Sequence, residues 1–266
     1  MNLWLEDKKI VIIGGTTGIG LSAAKAFVGQ GASVVVVGID EYTCGMAEDD
    51  LQGNGVSMVG DAREDDTAVD AIELCINVFG GFDGLYHVAG GSGRRFGDGP
   101  LHNLSRDAWE QTFSLNLTSL MLSNKAAVEA FMRFGQKGTI LNMTSVLSYS
   151  PSPDYFSTHA YAASKSAVLG FVRSVASYYA KHNIRVNAIA PALVETPMSE
   201  RACNDEHIVS FIQTKQPLDG GRVGDVTDLD GAAIYFMSDA SGFTTGQVLS
   251  VDGGWSLSEG QIRDGV

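Results

Sequence analysis

The segment Ile10-Val11-Ile12-Ile13-Gly14-Gly15-Thr16-Thr17-Gly18-Ile19-Gly20 constrains this chain most, because an apolar β-branched run passes through a glycine-rich turn straight into a helix. The run reads as a buried strand, and Ile19 to Gly29 as an amphipathic helix closed by Gly31. Each glycine has its own reason. Gly14 permits the tight turn, Gly18 lets backbone approach a diphosphate, and Gly20 lets helix pack closely on strand. The free N–H groups of the helix N-terminus favour phosphate there. A ligand-free turn needs glycine too, so the loop alone leaves both readings open. On the ligand reading, Gly14, Thr16, Thr17, Gly18, Ile19 and Gly20 contact a dinucleotide.

The same alternation continues along the chain. Strands are expected at Ile10 to Ile13, Ser33 to Gly38, Ser57 to Gly60, Gly84 to Val88, Thr139 to Met143, Arg185 to Ile189 and Gln247 to Val251. The best-defined helices are Ile19 to Gly29, Thr67 to Phe79, Ser105 to Phe134, Tyr161 to Lys181 and Thr227 to Ser238, the last preceded by a capping Asp-Val-Thr-Asp segment. This order predicts an α/β fold, a doubly wound parallel sheet of about seven strands with helices on both faces. No repeat or Pro-rich linker divides the chain, and 266 residues with 44% hydrophobic content suffice for one core, so one domain over 1–266 is expected. A net charge of −13 disfavours nucleic acid and anionic membrane as partners. Cys44, Cys75 and Cys203 suggest neither a disulfide framework nor a zinc knuckle, and the histidines form no metal-binding cluster, so no metal is expected. Glu6 and Asp7 precede any apolar run, the wrong order for a secretory signal, and no run is long enough to span a bilayer. A cytoplasmic protein is expected.

Tyr161-Ala162-Ala163-Ser164-Lys165 places a phenol and an ammonium on one helix face. A cation about 4 Å away could lower a phenol pKa by up to ~3 units, into the range useful for acid/base work. Taken alone, the pair is also an ordinary surface Tyr and Lys. It follows the strand Thr139 to Met143, which ends in Thr144-Ser145 at the edge where open α/β sheets bind ligands. The interior Asn116 of Phe113-Ser114-Leu115-Asn116-Leu117 costs helix stability, which invites either a functional role or a satisfied core position.

The Gly-x-x-x-Gly-x-Gly spacing and the Tyr-x-x-x-Lys pair together resemble the short-chain dehydrogenase/reductase family, with Ile13 standing where that family has threonine. The resemblance implies a Rossmann-type fold, an NAD(P) cofactor, and catalytic roles for Asn116 (proton relay through a water), Ser145 (substrate alignment), Tyr161 (proton exchange) and Lys165 (phenol activation and ribose binding). Ser145 matches by its place at the strand end. Ser148 matches by standing 13 residues before Tyr161 against 16 for Ser145, and Ser145 is preferred because the Pro151 and Pro153 loop can absorb an insertion. By the same resemblance Asp61 and Ala62 meet the adenine edge and Ala89 and Gly90 the adenosine ribose. His87-Val88 stands in place of the usual two asparagines. Pro191, Val194 and Thr196 hold the nicotinamide carboxamide, with Ala192 replacing a glycine.

The polar and mixed segment Pro197 to Gly221 is expected to contribute a mobile helical lid, placed at about 193–216. His159 either lines the pocket or merely starts a helix, and Arg94 and Arg95 either receive an anionic substrate group or anchor their loop. Asp40, two residues past the position Gly38 holds, either accepts from the ribose 2′-hydroxyl or faces solvent. Ile39 and Thr17 occupy the places where the family carries a cation for NADP, so NAD is expected. Apolar residues on more than one face of the Asn116 and Tyr161 helices (Leu117, Leu120, Met121, Val168, Phe171, Val172, Val175, Tyr179) suggest a homotetramer, or else a dimer. The functional expectation is interconversion of a secondary alcohol and a ketone. The rival is a dinucleotide-binding sensor or structural protein without turnover. The sequence leaves the substrate open.

Overall fold

Alternate side chains of β1 (Lys9–Ile13) enter different cores: Ile10 and Ile12 pack on one face of the sheet, Val11 and Ile13 on the other, as the two-residue period of a strand requires. The computed structural model describes residues 3–261. The expected unit 1–266 also takes in residues 1–2 and 262–266, which lie outside the described residues. With β2 (Ser33–Gly38), β3 (Gly55–Val59), β4 (Gly84–His87), β5 (Gly138–Met143), β6 (Ile184–Pro191) and β7 (Val248–Val251), β1 forms a seven-stranded sheet in the order β3-β2-β1-β4-β5-β6-β7. Every pairing is parallel. The strands and helices fall where the alternation places them, with ends displaced by a few residues at most.

The helices are α1 (Gly18–Gly29), α2 (Glu41–Asp50), α3 (Thr67–Phe79), α4 (Arg106–Phe113), α5 (Ser119–Phe134), α6 (His159–Tyr179), α7 (Glu200–Cys203), α8 (Glu206–Lys215) and α9 (Asp230–Met237). One face of the sheet is covered by α1, α2 and α9 through Ala23, Phe27, Ala47 and Phe236. The other is covered by α3, α5 and α6 through Ile72, Phe131, Val168 and Val172. Each such buried Phe, Ile or Val side chain contributes about 1.5–3 kcal/mol, and each alanine less. Because β1, β2 and β3 run outward and β4 returns to the far side of β1, strand order reverses between β1 and β4, and a ligand crevice opens at their carboxyl ends.

Three departures from the expected elements have physical causes. The helix expected over Ser105 to Phe134 is broken by a π turn at Ser114–Thr118, where the Asn116 side chain takes the Thr112 carbonyl at 2.9 Å. Such turns insert one residue into the helical ladder. Helix α2 escaped the periodicity because Gly45 interrupts it and few of its residues are buried. Its one signal is Asp40, whose carboxylate accepts from Thr43 N–H at 2.8 Å as an N-cap. The expected helix Thr227 to Ser238 opens with a 3-10 turn at Val226–Leu229, held by a capping box between Asp225 and Asp228.

Where the family's two asparagines are missing, His87 braces the sheet. Buried at the end of β4, it meets Ser123 Oγ through Nδ1 at 2.8 Å and Ser119 Oγ through Nε2 at 3.5 Å, tying the strand to α5. Burial pushes the imidazole down to about 3, so it is neutral at working pH. Beside it, Asn124 and Asn142 exchange amide hydrogen bonds of 2.8 and 2.9 Å between α5 and β5.

Candidate active site

At the carboxyl ends of the central strands lies a cleft of about 550 Å³, a size typical of small-molecule sites. The glycine loop forms one end. Gly18 has φ +51°, and a Cβ built there would meet nothing nearer than Thr196 Cγ2 at 3.4 Å, so the loop leaves room for a ligand. At Gly20 a Cβ would stand 2.0 Å from the Gly14 carbonyl oxygen, which is why helix and turn can touch only through glycine. No side chain caps the N-terminus of α1, so its first N–H groups remain for an anion. A diphosphate fits this donor set.

Gly14, Thr16, Thr17, Gly18 and Ile19 line the cleft, as do Asp40, Asp61, Ala62, Ala89, Gly90, Pro191, Val194 and Thr196. Gly20 lies behind them as packing. Thr16 fills the space beside Gly38, where a Cβ would stand 2.2 Å from its Oγ1. The Asp61 carboxylate is gripped by Arg63, which holds it below the usual carboxylate range. Thr196 is fixed by Ser199: its N–H donates to Ser199 Oγ at 2.9 Å, and Ser199 also bonds the Val194 carbonyl.

At the other end Ser145 and Tyr161 come together, buried to 7% and 8% exposure. Ser145 follows β5 and accepts from Leu147 N–H at 3.2 Å; its hydroxyl is also near enough to the Tyr161 phenol to oppose the effect of burial on it. Ser148 turns away, donating to the Ser145 carbonyl at 2.6 Å, and is absent from the cleft lining. Tyr161 sits in the first turn of α6. That turn is held by Asp98 from the loop after β4, whose buried carboxylate accepts from Ala160 N–H at 3.0 Å and Tyr161 N–H at 2.8 Å.

Lys165 is buried under this pair and donates to the Met143 carbonyl at 2.9 Å. Its ammonium stands 5.8 Å from the Tyr161 ring centre. Desolvation brings it down to about 8. The phenol itself is pushed up by burial, with the Ser145 hydrogen bond pulling it back. Burial and Ser145 are thus the influences on the phenol here, and the ammonium donates to the β5 backbone. Asn116, fully buried, donates to the Gly91 carbonyl at 2.9 Å and accepts from Gly91 N–H at 3.0 Å.

The residues the matching family model covers are 14–256, and its description is enoyl-(acyl carrier protein) reductase. The chain is 31% identical over 253 residues to a 2,5-dichloro-2,5-cyclohexadiene-1,4-diol dehydrogenase of Sphingobium indicum, covering 95% of this chain and 98% of that one. It is 32% identical to a 2-dehydro-3-deoxy-D-gluconate 5-dehydrogenase of Escherichia coli, covering 94% and 96% respectively. A solved short-chain type dehydrogenase/reductase from Mycobacterium ulcerans superposes with a TM-score of 0.87 at 30% identity, over 96% of this chain and 92% of that one. The chain belongs to the short-chain dehydrogenase/reductase family.

As a member of that family it is an NAD(P)-dependent oxidoreductase. Among the described residues no helix is long and apolar enough to cross a membrane.

Several residues that line or brace the cleft escaped sequence reasoning. Trp255, fully buried after the Gly253-Gly254 turn, packs edge-on against Phe156 at 5.7 Å and Phe211 at 6.1 Å. With Leu193, Ala202, Ile208 and Ile212 it forms the core beneath α7 and α8. A large aromatic just past a double-glycine turn was the available signal. Asp98, Ser199 and Arg201 carry no local signal, because their partners come from remote segments. His159 is exposed at the start of α6, outside the cleft lining.

Proposed function

We propose that the enzyme interconverts a secondary alcohol and a ketone, with Tyr161 as the acid/base, Ser145 aligning the substrate oxygen, Lys165 assisting and Asn116 serving the proton relay. The observation that carries this reading is the meeting of the Ser145 and Tyr161 hydroxyls at the end of the cleft opposite the glycine loop. A hydroxyl placed between them can donate to the Tyr161 oxygen while accepting from Ser145 Oγ, whose own acceptor position is already engaged by Leu147. Asn116 clamps Gly91, and a Cβ at the adjacent Gly90 would meet Asn116 Oδ1 at 2.8 Å and Lys165 Nζ at 3.4 Å. The relay thus starts in a tightly packed corner. When bound, the nicotinamide cofactor supplies hydride exchange at its C4. An intact Ser, Tyr, Lys and Asn set supports turnover over a sensor, which needs no acid/base pair. NADH formation over a panel of secondary alcohols tests the reading. Ser145→Ala is expected to lower kcat about a hundredfold on the best of them, and Ser148→Ala by less than about threefold. Equal effects would refute the assignment.

The loop residues Gly14, Thr16, Thr17, Gly18 and Ile19 would hold the diphosphate, with Gly20 behind them. Asp61 and Ala62 would meet the adenine, Ala89 and Gly90 the ribose, and Pro191, Val194 and Thr196 the carboxamide. NAD is the cofactor proposed. Ile39 and Thr17 offer no cation to a 2′-phosphate, Asp40 lines the cleft with a negative charge, and Arg63 is committed to Asp61. The expected kcat/KM with one substrate is at least tenfold higher for NAD than NADP, about 1.4 kcal/mol. A tenfold preference for NADP would overturn the proposal.

Residues 193–216 would act as the lid, with α7 and α8 seated on Trp255. A homotetramer is proposed, with a dimer as the alternative. Of the residues suggesting it, Leu120, Val168 and Val172 are spent in the core, while Leu117, Phe171, Val175 and Tyr179 are half-buried and Met121 is exposed. Light scattering at micromolar concentration should give a multiple of 28.2 kDa; the mass of one chain would rule this out. A cytoplasmic location accords with this reading.

A further inference from the structure

The charged side chains lining the cleft are Asp40, Asp61, Arg94, Arg95, Lys165 and Arg201. Asp40 and Asp61 belong to the dinucleotide end. Arg95 lies over the Phe96 ring at 4.7 Å and its charge is felt by Asp61, so it belongs to that end too. Lys165 is buried under Tyr161. Two guanidiniums remain, Arg94 from the loop after β4 and Arg201 from α7, both lining the cleft. The chain carries 31 acidic against 18 basic residues, yet among the described residues neither arginine forms an ion pair.

Arg94 uses one N–H to anchor the Tyr155 carbonyl at 3.2 Å, which sets its direction and leaves the rest of its fork free. Partial desolvation first, and then the charge of Arg201, disfavour the protonated form of Arg94, while Asp98 favours it. Like charges brought together without a counter-ion are a cost that an anion would relieve. Asp98 does not relieve it fully, because its carboxylate is committed to the first N–H groups of α6.

From this placement we infer that the substrate carries a carboxylate, received between Arg94 and Arg201 while its hydroxyl or carbonyl carbon lies at Ser145 and Tyr161. With the charge of the nearby Asp98 counted, the two guanidiniums present a single net positive charge, which suits a monoanion better than a phosphate dianion. The planar fork of arginine fits a carboxylate in two-point contact. Since α7 supplies one guanidinium and the loop carrying Asp98 the other, binding the anion would also fasten α7 across the mouth. Asp98 would link the same event to the backbone of Tyr161. This inference deepens the alcohol/ketone reading and rests on it.

The test pairs gluconate, 3-hydroxybutyrate and 2-hydroxybutyrate each with its primary amide, with 2-butanol and cyclohexanol as uncharged alcohols. On the best acid, kcat/KM is expected to exceed that of its amide at least tenfold, mainly through KM. In the Arg94→Gln, Arg201→Gln double variant that preference should vanish, with the NADH Kd, read by fluorescence, unchanged within about twofold. Amides or plain alcohols turned over as well as the acids, or a preference that survives the double variant, would overturn the inference and leave the alcohol/ketone reading standing. A weakened NADH Kd in the variant would assign the arginines to the cofactor diphosphate, and also overturns it. No turnover of any compound would remove both.

Discussion

Tyr161→Phe is expected to lower kcat/KM about a thousandfold in both directions, within the range that a placed acid/base contributes, while NADH binds within about twofold of its original affinity. The ring packing survives the change, because only the hydroxyl is removed from a residue whose backbone is held by Asp98. The pH dependence carries the sharper content. Burial pushes the phenol above its ordinary value and Ser145 opposes it, so the phenolate needed for alcohol oxidation is the minor form at neutral pH. Oxidation should therefore quicken steadily toward alkaline pH, whereas carbonyl reduction, which needs the phenol, should not. The alkaline rise should disappear in Tyr161→Phe. Initial rates from pH 6 to 10 in both directions check this, and full turnover by the variant would sink the mechanism.

The parts of the molecule that sequence reveals are those where one local pattern has one physical solution. Ile10 to Ile13 could only be a buried strand, and the turn behind it needed glycine for contacts made within a few residues, such as Gly20 against Gly14. Tyr161 and Lys165 were legible because helical spacing alone puts them on one face. What sequence conceals is direction and distance. Nothing in Tyr-x-x-x-Lys says that the ammonium reaches back to Met143 on β5, instead of up to the phenol. Asn116 was visible as a misfit in an apolar stretch, but its engagement with Gly91 and the π turn around it depend on a loop 25 residues away. Asp98 is the extreme case. It reads as a turn aspartate between two glycines and caps a helix that starts some sixty residues later.

Lys165→Met should abolish most activity and yet make the cofactor-free protein more stable at neutral pH. The lysine is 3% exposed and desolvation holds its ammonium at about 8 against an ordinary 10.5. Between those two pH values the unfolded chain binds the proton and the folded chain does not, so stability rises with pH across that window. Below pH 8 the folded state carries the whole penalty of a buried cation. At 1.36 kcal/mol per pKa unit that penalty is about 3 kcal/mol, and the lost bond to the Met143 carbonyl takes back about 1. Methionine fills a similar volume without charge. The variant should then melt at a higher temperature by about 2–4 °C per kcal/mol gained at pH 7, with the gain fading by pH 10. Its kcat/KM should fall by about a hundredfold or more, as expected for a group that assists the proton transfer. Calorimetry at the two pH values, beside the alcohol assay, decides it. A variant that is less stable at pH 7, or whose advantage grows with pH, would mean that the folded site favours the ammonium, contrary to the burial argument.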